Sequence, residues 1–205
     1  MGFYDDFVVP YLIDVCCGMK DLVPERQKAT SGLSGAVLEI GFGSGLNLPH
    51  YPREVTRVLA VDPSERARHL GRKRIAAAHC PVETIGLDAE VIGAGDATAD
   101  TALSTFTLCT VPSAERALCE VHRILKPGGR LFFLEHGRAP DPGVARWQDR
   151  LNGLQGAICG GCNLNRDIAA LVEGAGFRLE TREMAYFPKM PRTHGFLYRG
   201  TAVRA

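Results

Sequence analysis

Three glycines at alternate positions, Gly41, Gly43 and Gly45, follow directly on the apolar run 36–40. Such a run reads as a buried strand. Glycines at its end let the chain turn sharply and bring bare backbone against a ligand. A helix after the turn is expected to aim free N–H groups and a partial positive charge at whatever lies on the loop. The spacing is not the dinucleotide G-x-G-x-x-G, because the third glycine comes one residue early. A nucleoside-type cofactor is the expected ligand. A second run, 57–61, ends in the carboxylate Asp62, followed by Pro63. An acid at the end of the second strand of a doubly wound fold hydrogen-bonds a ribose diol. Asp62 stands 17 residues past Gly45, close to the expected interval. The same Asp could instead cap a helix starting near Ser64. The glycine loop ahead of it favours the ribose.

The elements that must hold these residues alternate between strand-like and helical runs, which argues for an α/β sheet. Strands are expected over 36–40, 57–61, 81–86, 103–108 and 130–135. Helices are expected over 64–78, 112–125, 144–154 and 165–175. Between them, Lys126-Pro-Gly-Gly129 is a tight turn. Residues 177–184 and 196–203 read as a closing hairpin across a Pro-rich connection. That makes seven strands in one doubly wound domain. The helix over 64–78 is basic and reads as a solvated face. Residues 3–17 are apolar at roughly helical spacing and read as an N-terminal helix covering the site.

At 205 residues the chain suits one domain with a large core. A net charge of +1 excludes a general affinity for nucleic acid or anionic membrane. No apolar stretch is long enough to span a bilayer. The start, Met1-Gly-Phe-Tyr-Asp-Asp, lacks the basic and apolar regions of a signal peptide. Seven scattered cysteines read as reduced thiols, so a cytoplasmic protein is expected.

Residues 37–45 with Glu39, then Val61-Asp62-Pro63, Asp88-Ala89, Thr107-Leu-Cys-Thr-Val111 and 124–136 together resemble the class I S-adenosylmethionine (SAM) methyltransferases. The resemblance covers nearly the whole chain. It implies a Rossmann-like methyltransferase fold over 33–205, with an antiparallel last strand and a helical cap over 1–32. It also implies SAM as cofactor. By resemblance, Glu39 orders the methionine end, and Gly41, Gly43, Gly45 and Asn47 pass under the cofactor. Asp62 and Pro63 take the ribose. Thr107 and Cys109 meet the methionine portion. Gly95-Asp96-Ala97 mimics the tripeptide that ends the third strand in many such enzymes, but accepting it leaves too few residues before the fourth. Asp88 is therefore given the adenine amino group and Ala89 N–H a ring nitrogen.

A narrower resemblance joins Leu108-Cys109, Phe132-Phe133-x-Glu135-His136, Trp147-Gln148, Gly161-Cys162 and Arg166 to the alkyl-thiol S-methyltransferases. It implies methyl transfer to a small thiol. The hydrophobic anchor of the mammalian members does not carry over, because 3–17 is shorter and contains Asp5, Asp6 and Asp14. The wider family also holds methyltransferases of lipid amines and quinone rings, and a SAM-binding protein without turnover is a further alternative. On the acceptor side, His136 either takes a proton or is an ordered imidazole bonded to backbone. Trp147 either walls an apolar pocket or packs in the core. Tyr11, with Phe3 and Phe7, could close over the acceptor, and Arg166 could anchor an acidic group. Cys159-Gly-Gly-Cys162 has the spacing of a redox pair or half a zinc site, but no second pair exists and no strand-then-helix redox context precedes it. It reads as a glycine-rich loop with two incidental thiols, and no metal is expected.

Overall fold

The computed structural model describes residues 4–205. Seven strands form one sheet: β1 (Gly35–Ile40), β2 (Val55–Val61), β3 (Val82–Gly86), β4 (Ala99–Thr105), β5 (Leu125–His136), β6 (Phe177–Tyr186) and β7 (Phe196–Arg204). Their order is β3-β2-β1-β4-β5-β7-β6, parallel throughout except for β7. This is the expected doubly wound sheet with an antiparallel last strand. The order reverses between β1 and β4, and a doubly wound sheet opens its ligand crevice beyond the carboxyl ends of strands at that point.

The central strands are buried on both faces, which is why β1 reads as an apolar run interrupted only by Glu39. Alternate residues serve opposite faces. Leu38 and Phe133 join one core with Leu118, Val121 and Ile168, whereas Val37 and Phe132 join another with Val58 and Leu103.

The helices are α1 (Val9–Cys17), α2 (Val23–Thr30), α3 (Glu65–Ala76), α4 (Ala114–Ile124), α5 (Pro142–Ile158) and α6 (Ile168–Gly174). Side-chain caps start three of them. Ser64, Ser113 and Asp167 accept from the N–H groups of Ala67, Arg116 and Ala170. The Ser64 and Ser113 caps begin the helices that follow β2 and β4 and so fix where those loops at the strand ends must lie.

Several boundaries move. The fourth strand starts at Ala99, not at 103, because Thr101 and Ala102 already pair with β1 and β5. β5 runs back through the Lys-Pro-Gly-Gly turn, since Leu125 bridges to Ala99 before the register shifts. The expected helix over 165–175 begins only at Ile168. The N-terminal helix starts as a π-helical turn, Tyr4–Val8, that runs into α1. Phe3 lies outside the described residues. No helix among the described residues is long and apolar enough to cross a membrane.

Candidate functional site

The glycine loop sits at the crevice. Gly41, Gly43 and Gly45 all hold positive φ, at 65°, 55° and 70°. At Gly41 a side chain is excluded twice over, since a Cβ would come within 1.8 Å of Thr107 Oγ1. At Gly43 a Cβ would meet nothing closer than 3.9 Å, so only the backbone conformation demands glycine there. Asp62 braces this loop: its Oδ2 accepts from Gly43 N and its Oδ1 from Ser64 N, both at 2.8 Å. Burial raises the Asp62 pKa, and those two N–H bonds with Arg68 oppose the shift.

One expectation fails at this point. No α-helix follows the glycines, only a single 3-10 turn, Leu48–His50. Pro49 and Pro52 cannot donate, so a ladder of helical hydrogen bonds has no place to grow. The N–H groups at the crevice come from the loop itself rather than from a helix end.

Asn47 is used inward instead. Its Nδ2 donates to Glu39 Oε1 at 2.6 Å and to Thr105 Oγ1 at 2.9 Å, while its Oδ1 accepts from Arg26 Nη1 at 2.6 Å. Tyr51 OH donates to the other Glu39 oxygen. Arg26 also donates to the Cys17 carbonyl at 2.9 Å and lies over the Phe106 ring. The N-terminal segment is thereby wired into β1 and β4. Arg26 was missed in the sequence, where it sits in a polar stretch with no motif around it.

Burial pushes Glu39 up to about 7, against its bonds to Tyr51 and Asn47 and the charge of Arg26. A carboxyl whose folded pKa is raised stabilises the fold at low pH and loses that contribution as pH rises through 7. Glu39→Gln cannot ionise, so the parent should lose about 1–3 kcal/mol relative to the variant between pH 5 and 8. Urea unfolding at those two pH values checks it. Parallel stability profiles would show that Glu39 stays charged throughout.

Glu135 is the second buried carboxylate of the site. Its oxygens accept from Thr107 N at 2.9 and 3.0 Å and from Ser104 Oγ at 2.7 Å. These bonds hold a tight turn in which Phe106 adopts a φ of 54°, rare for a residue with a side chain. The turn delivers Thr107 to Gly41 and Cys109 to the crevice.

The two rival acids lie at opposite ends of the sheet. Asp88 is exposed just past the carboxyl end of β3 and accepts from Glu90 N at 2.8 Å. Asp96 precedes β4, where Arg123 holds it at 2.6 Å. Asp88→Asn is therefore expected to raise the SAM dissociation constant about 5- to 20-fold, and Asp96→Asn to leave it within about twofold. Calorimetry with both variants checks the order. A reversed order would give the adenine to Asp96.

On the acceptor side, His136 Nε2 lies 3.0 Å from Cys162 Sγ. Cys109, His136 and Cys162 bring sulfur, ring nitrogen and sulfur within 4.8 Å of one another. Cys162 is thus not incidental, although its sequence neighbour Cys159 stays out of the group. Among the described residues His136 Nδ1, which is buried, has no hydrogen-bond partner. Arg166 donates to the carbonyls of Leu108, Val111 and Pro112. Trp147 is neither a core residue nor part of this group. It is 55 % exposed on α5, with Arg150 stacked over it. Gln148 faces inward instead and bonds Ala139 N and Gly137 O. Tyr11 is 59 % exposed on α1. Asp14 of α1 does reach the glycine loop, where it accepts from Ser44 Oγ, and it also accepts from Arg74 at 2.9 Å.

Residues 38–133 match a family described as a methyltransferase domain. Human thiol S-methyltransferase TMT1A is 32% identical over 182 residues, covering 83% of this chain and 72% of that protein. The chain belongs to the SAM-dependent methyltransferases. Rat thiol S-methyltransferase TMT1B is 35% identical to this methyltransferase over 156 residues, 73% of the chain and 64% of the relative. A Thermotoga maritima SAM-dependent methyltransferase, described as a possible histamine N-methyltransferase, has a TM-score of 0.70 at 23% identity. That structure covers 98% of each chain and agrees in fold.

The methyltransferase's donor is SAM, and the crevice fits it. The loop leaves Gly43 open where a nucleoside would lie, and Asp62 presents a buried carboxylate beside it. Arg26 Nε and His136 Nδ1, buried nitrogens without a partner among the described residues, belong to side chains at the carboxyl ends of the strands.

Proposed function

We propose that this methyltransferase transfers the methyl group to the sulfur of a small thiol. What carries the reading is the 32% identity to TMT1A over 83% of the chain. The character of the acceptor side supports it. The group at the end of β5 brings together two thiols and an imidazole. Glu135, the carboxylate next to His136, is fully buried and already committed to Thr107 and Ser104. An amine acceptor becomes a cation as it is methylated, and no uncommitted carboxylate waits for that charge in this group. A thiol leaves a neutral thioether.

SAM supplies an electrophilic methyl carbon on a sulfonium. The chain's own part is to bind, align and exclude water, since alignment supplies much of the rate of an in-line displacement. Asp62 and Pro63 take the ribose side, and Asp88 with the Ala89 N–H the adenine. Gly41, Gly43 and Gly45 present backbone. Glu39, kept in place by Asn47, Tyr51 and Arg26, orders the methionine end, and Thr107 and the Cys109 backbone border it. His136 and Cys162 face the acceptor. Of the cap expected over 1–32, the described residues 4–32 lie over the crevice, held by the Asp14–Ser44 and Arg26–Asn47 bonds, and Tyr11 rides on that part. All seven cysteines are free, which suits the reducing cytoplasm.

A panel of thiols, amines and quinols with methyl-labelled SAM tests the reading. The label is expected on a thioether. Labelled amine or ring carbon with no labelled thioether would overturn the thiol and leave the methyltransferase.

A further inference from the structure

Cys109, His136 and Cys162 come from three separate elements: the turn after β4, the end of β5 and the loop after α5. The fold holds them together with backbone clamps rather than leaving them to chance. Asn163 N and Nδ2 both donate to the Cys109 carbonyl, at 2.7 and 3.1 Å. Arg166 ties the same loop to Leu108 and Val111. Gly160 and Gly161 take φ of 58° and 88° to turn Cys162 inward. Neighbouring this group, Glu135 fixes the turn that carries Cys109.

The donor set is diagnostic. Two sulfurs and one imidazole nitrogen suit zinc among the divalent ions. Tetrahedral zinc with bonds of about 2.3 Å to sulfur and 2.0–2.1 Å to nitrogen needs ligand atoms roughly 3.4–3.8 Å apart. Here one pair stands at 3.0 Å and all three lie within 4.8 Å, so shifts below about 1 Å suffice. Among the described residues the one hydrogen-bond partner of the imidazole is the Cys162 thiol, on Nε2, so the ring nitrogen already faces a sulfur donor. Three protein ligands and an open fourth position are the form of a zinc site that works on a substrate rather than one that only staples a fold.

We propose that Cys109, His136 and Cys162 form a zinc site whose open position captures the sulfur of the methyl acceptor. The role rests on the thiol reading above and decides what His136 does: it is a ligand, not the base. On binding, the acceptor thiol gives its proton to water and becomes a metal-held thiolate. Its sulfur lone pair then forms the bond to the methyl carbon. The pair of the breaking methyl–sulfonium bond stays on the departing sulfur, giving S-adenosylhomocysteine. The neutral thioether is a poor ligand and leaves the metal.

The sequence argued against a metal because Cys159 and Cys162 have no second pair. The partners of Cys162 come instead from distant positions that only the fold unites.

The test uses the full chain, reduced, loaded with zinc or cobalt and freed of excess metal. Elemental analysis should find one zinc per chain in the parent and in Cys159→Ser, and none in Cys162→Ser or His136→Gln. The cobalt form should show thiolate-to-metal charge-transfer bands, and 2-mercaptoethanol should shift its visible bands. Chelation should lower kcat/KM for a thiol acceptor about tenfold or more while calorimetry finds SAM affinity unchanged. Folded parent without stoichiometric metal, or Cys162→Ser that keeps it, overturns the site. Thiol methylation unaffected by metal removal overturns the role but leaves the thiol acceptor standing. A panel that yields no thioether removes the thiol reading itself, whatever the metal content.

Discussion

Gly41→Ala is expected to cost about 3–5 kcal/mol of folding stability and to abolish measurable SAM binding. Two effects add. Alanine at a φ of 65° pays roughly 1–2 kcal/mol for the left-handed conformation alone. The larger part is contact: the new methyl would stand 1.8 Å from Thr107 Oγ1, 2.5 Å from its Cγ2 and 2.7 Å from its Cβ. Thr107 cannot step aside, because Glu135 holds its N–H and its hydroxyl donates to the Thr105 carbonyl at 3.1 Å. Moving it would drag the Phe106 turn and Cys109 along. A double-mutant cycle with Thr107→Gly separates the two effects. Gly41→Ala should cost at least about 1.5 kcal/mol less in the Thr107→Gly background, leaving mainly the backbone penalty. Equal costs in both backgrounds would mean that the Thr107 contact does not exclude a side chain.

That contact explains what could and could not be read from the chain. The strands were legible because β1, β2 and β5 are buried on both faces, and burial leaves apolar runs. The glycines and Asp62 were legible because left-handed backbone and a strand-end acid leave marks in residue type and spacing. Positive φ at Phe106 left no mark, since it is imposed by Glu135 from another strand. Nor did the inward use of Asn47, which replaced the expected helix after the loop. Arg26 and Asp14 bind across 21 and 30 residues to Asn47 and Ser44, beyond any local pattern. The loop after α5 shows the same limit. Cys162 was weighed with Cys159, three residues away, whereas its contact is His136, 26 residues away. Trp147 and Gln148 show the limit at its finest: adjacent on one helix, they face opposite environments, and the polar one is buried.

Asp62→Ala is expected to weaken SAM binding by about 10- to 150-fold, the equivalent of 1.5–3 kcal/mol for a lost charge-assisted hydrogen bond. The carboxylate does two jobs, however, and a bare loss of affinity would not say which one failed. It accepts from Gly43 and Ser64, so alanine frees the loop as well as the diol. A cofactor analogue lacking the ribose 2′-hydroxyl distinguishes them. If the carboxylate binds the diol, the parent should discriminate against the analogue and Asp62→Ala should not. If Asp62 only braces the loop, both proteins should discriminate equally. Acid gives an independent check. Burial raises the Asp62 pKa above the usual carboxylate value, and the protonated acid loses acceptor capacity. Affinity for SAM should therefore fall as pH drops through that raised value, and Asp62→Ala should lack the fall. Calorimetry that finds parental affinity in folded Asp62→Ala would take the ribose away from this residue.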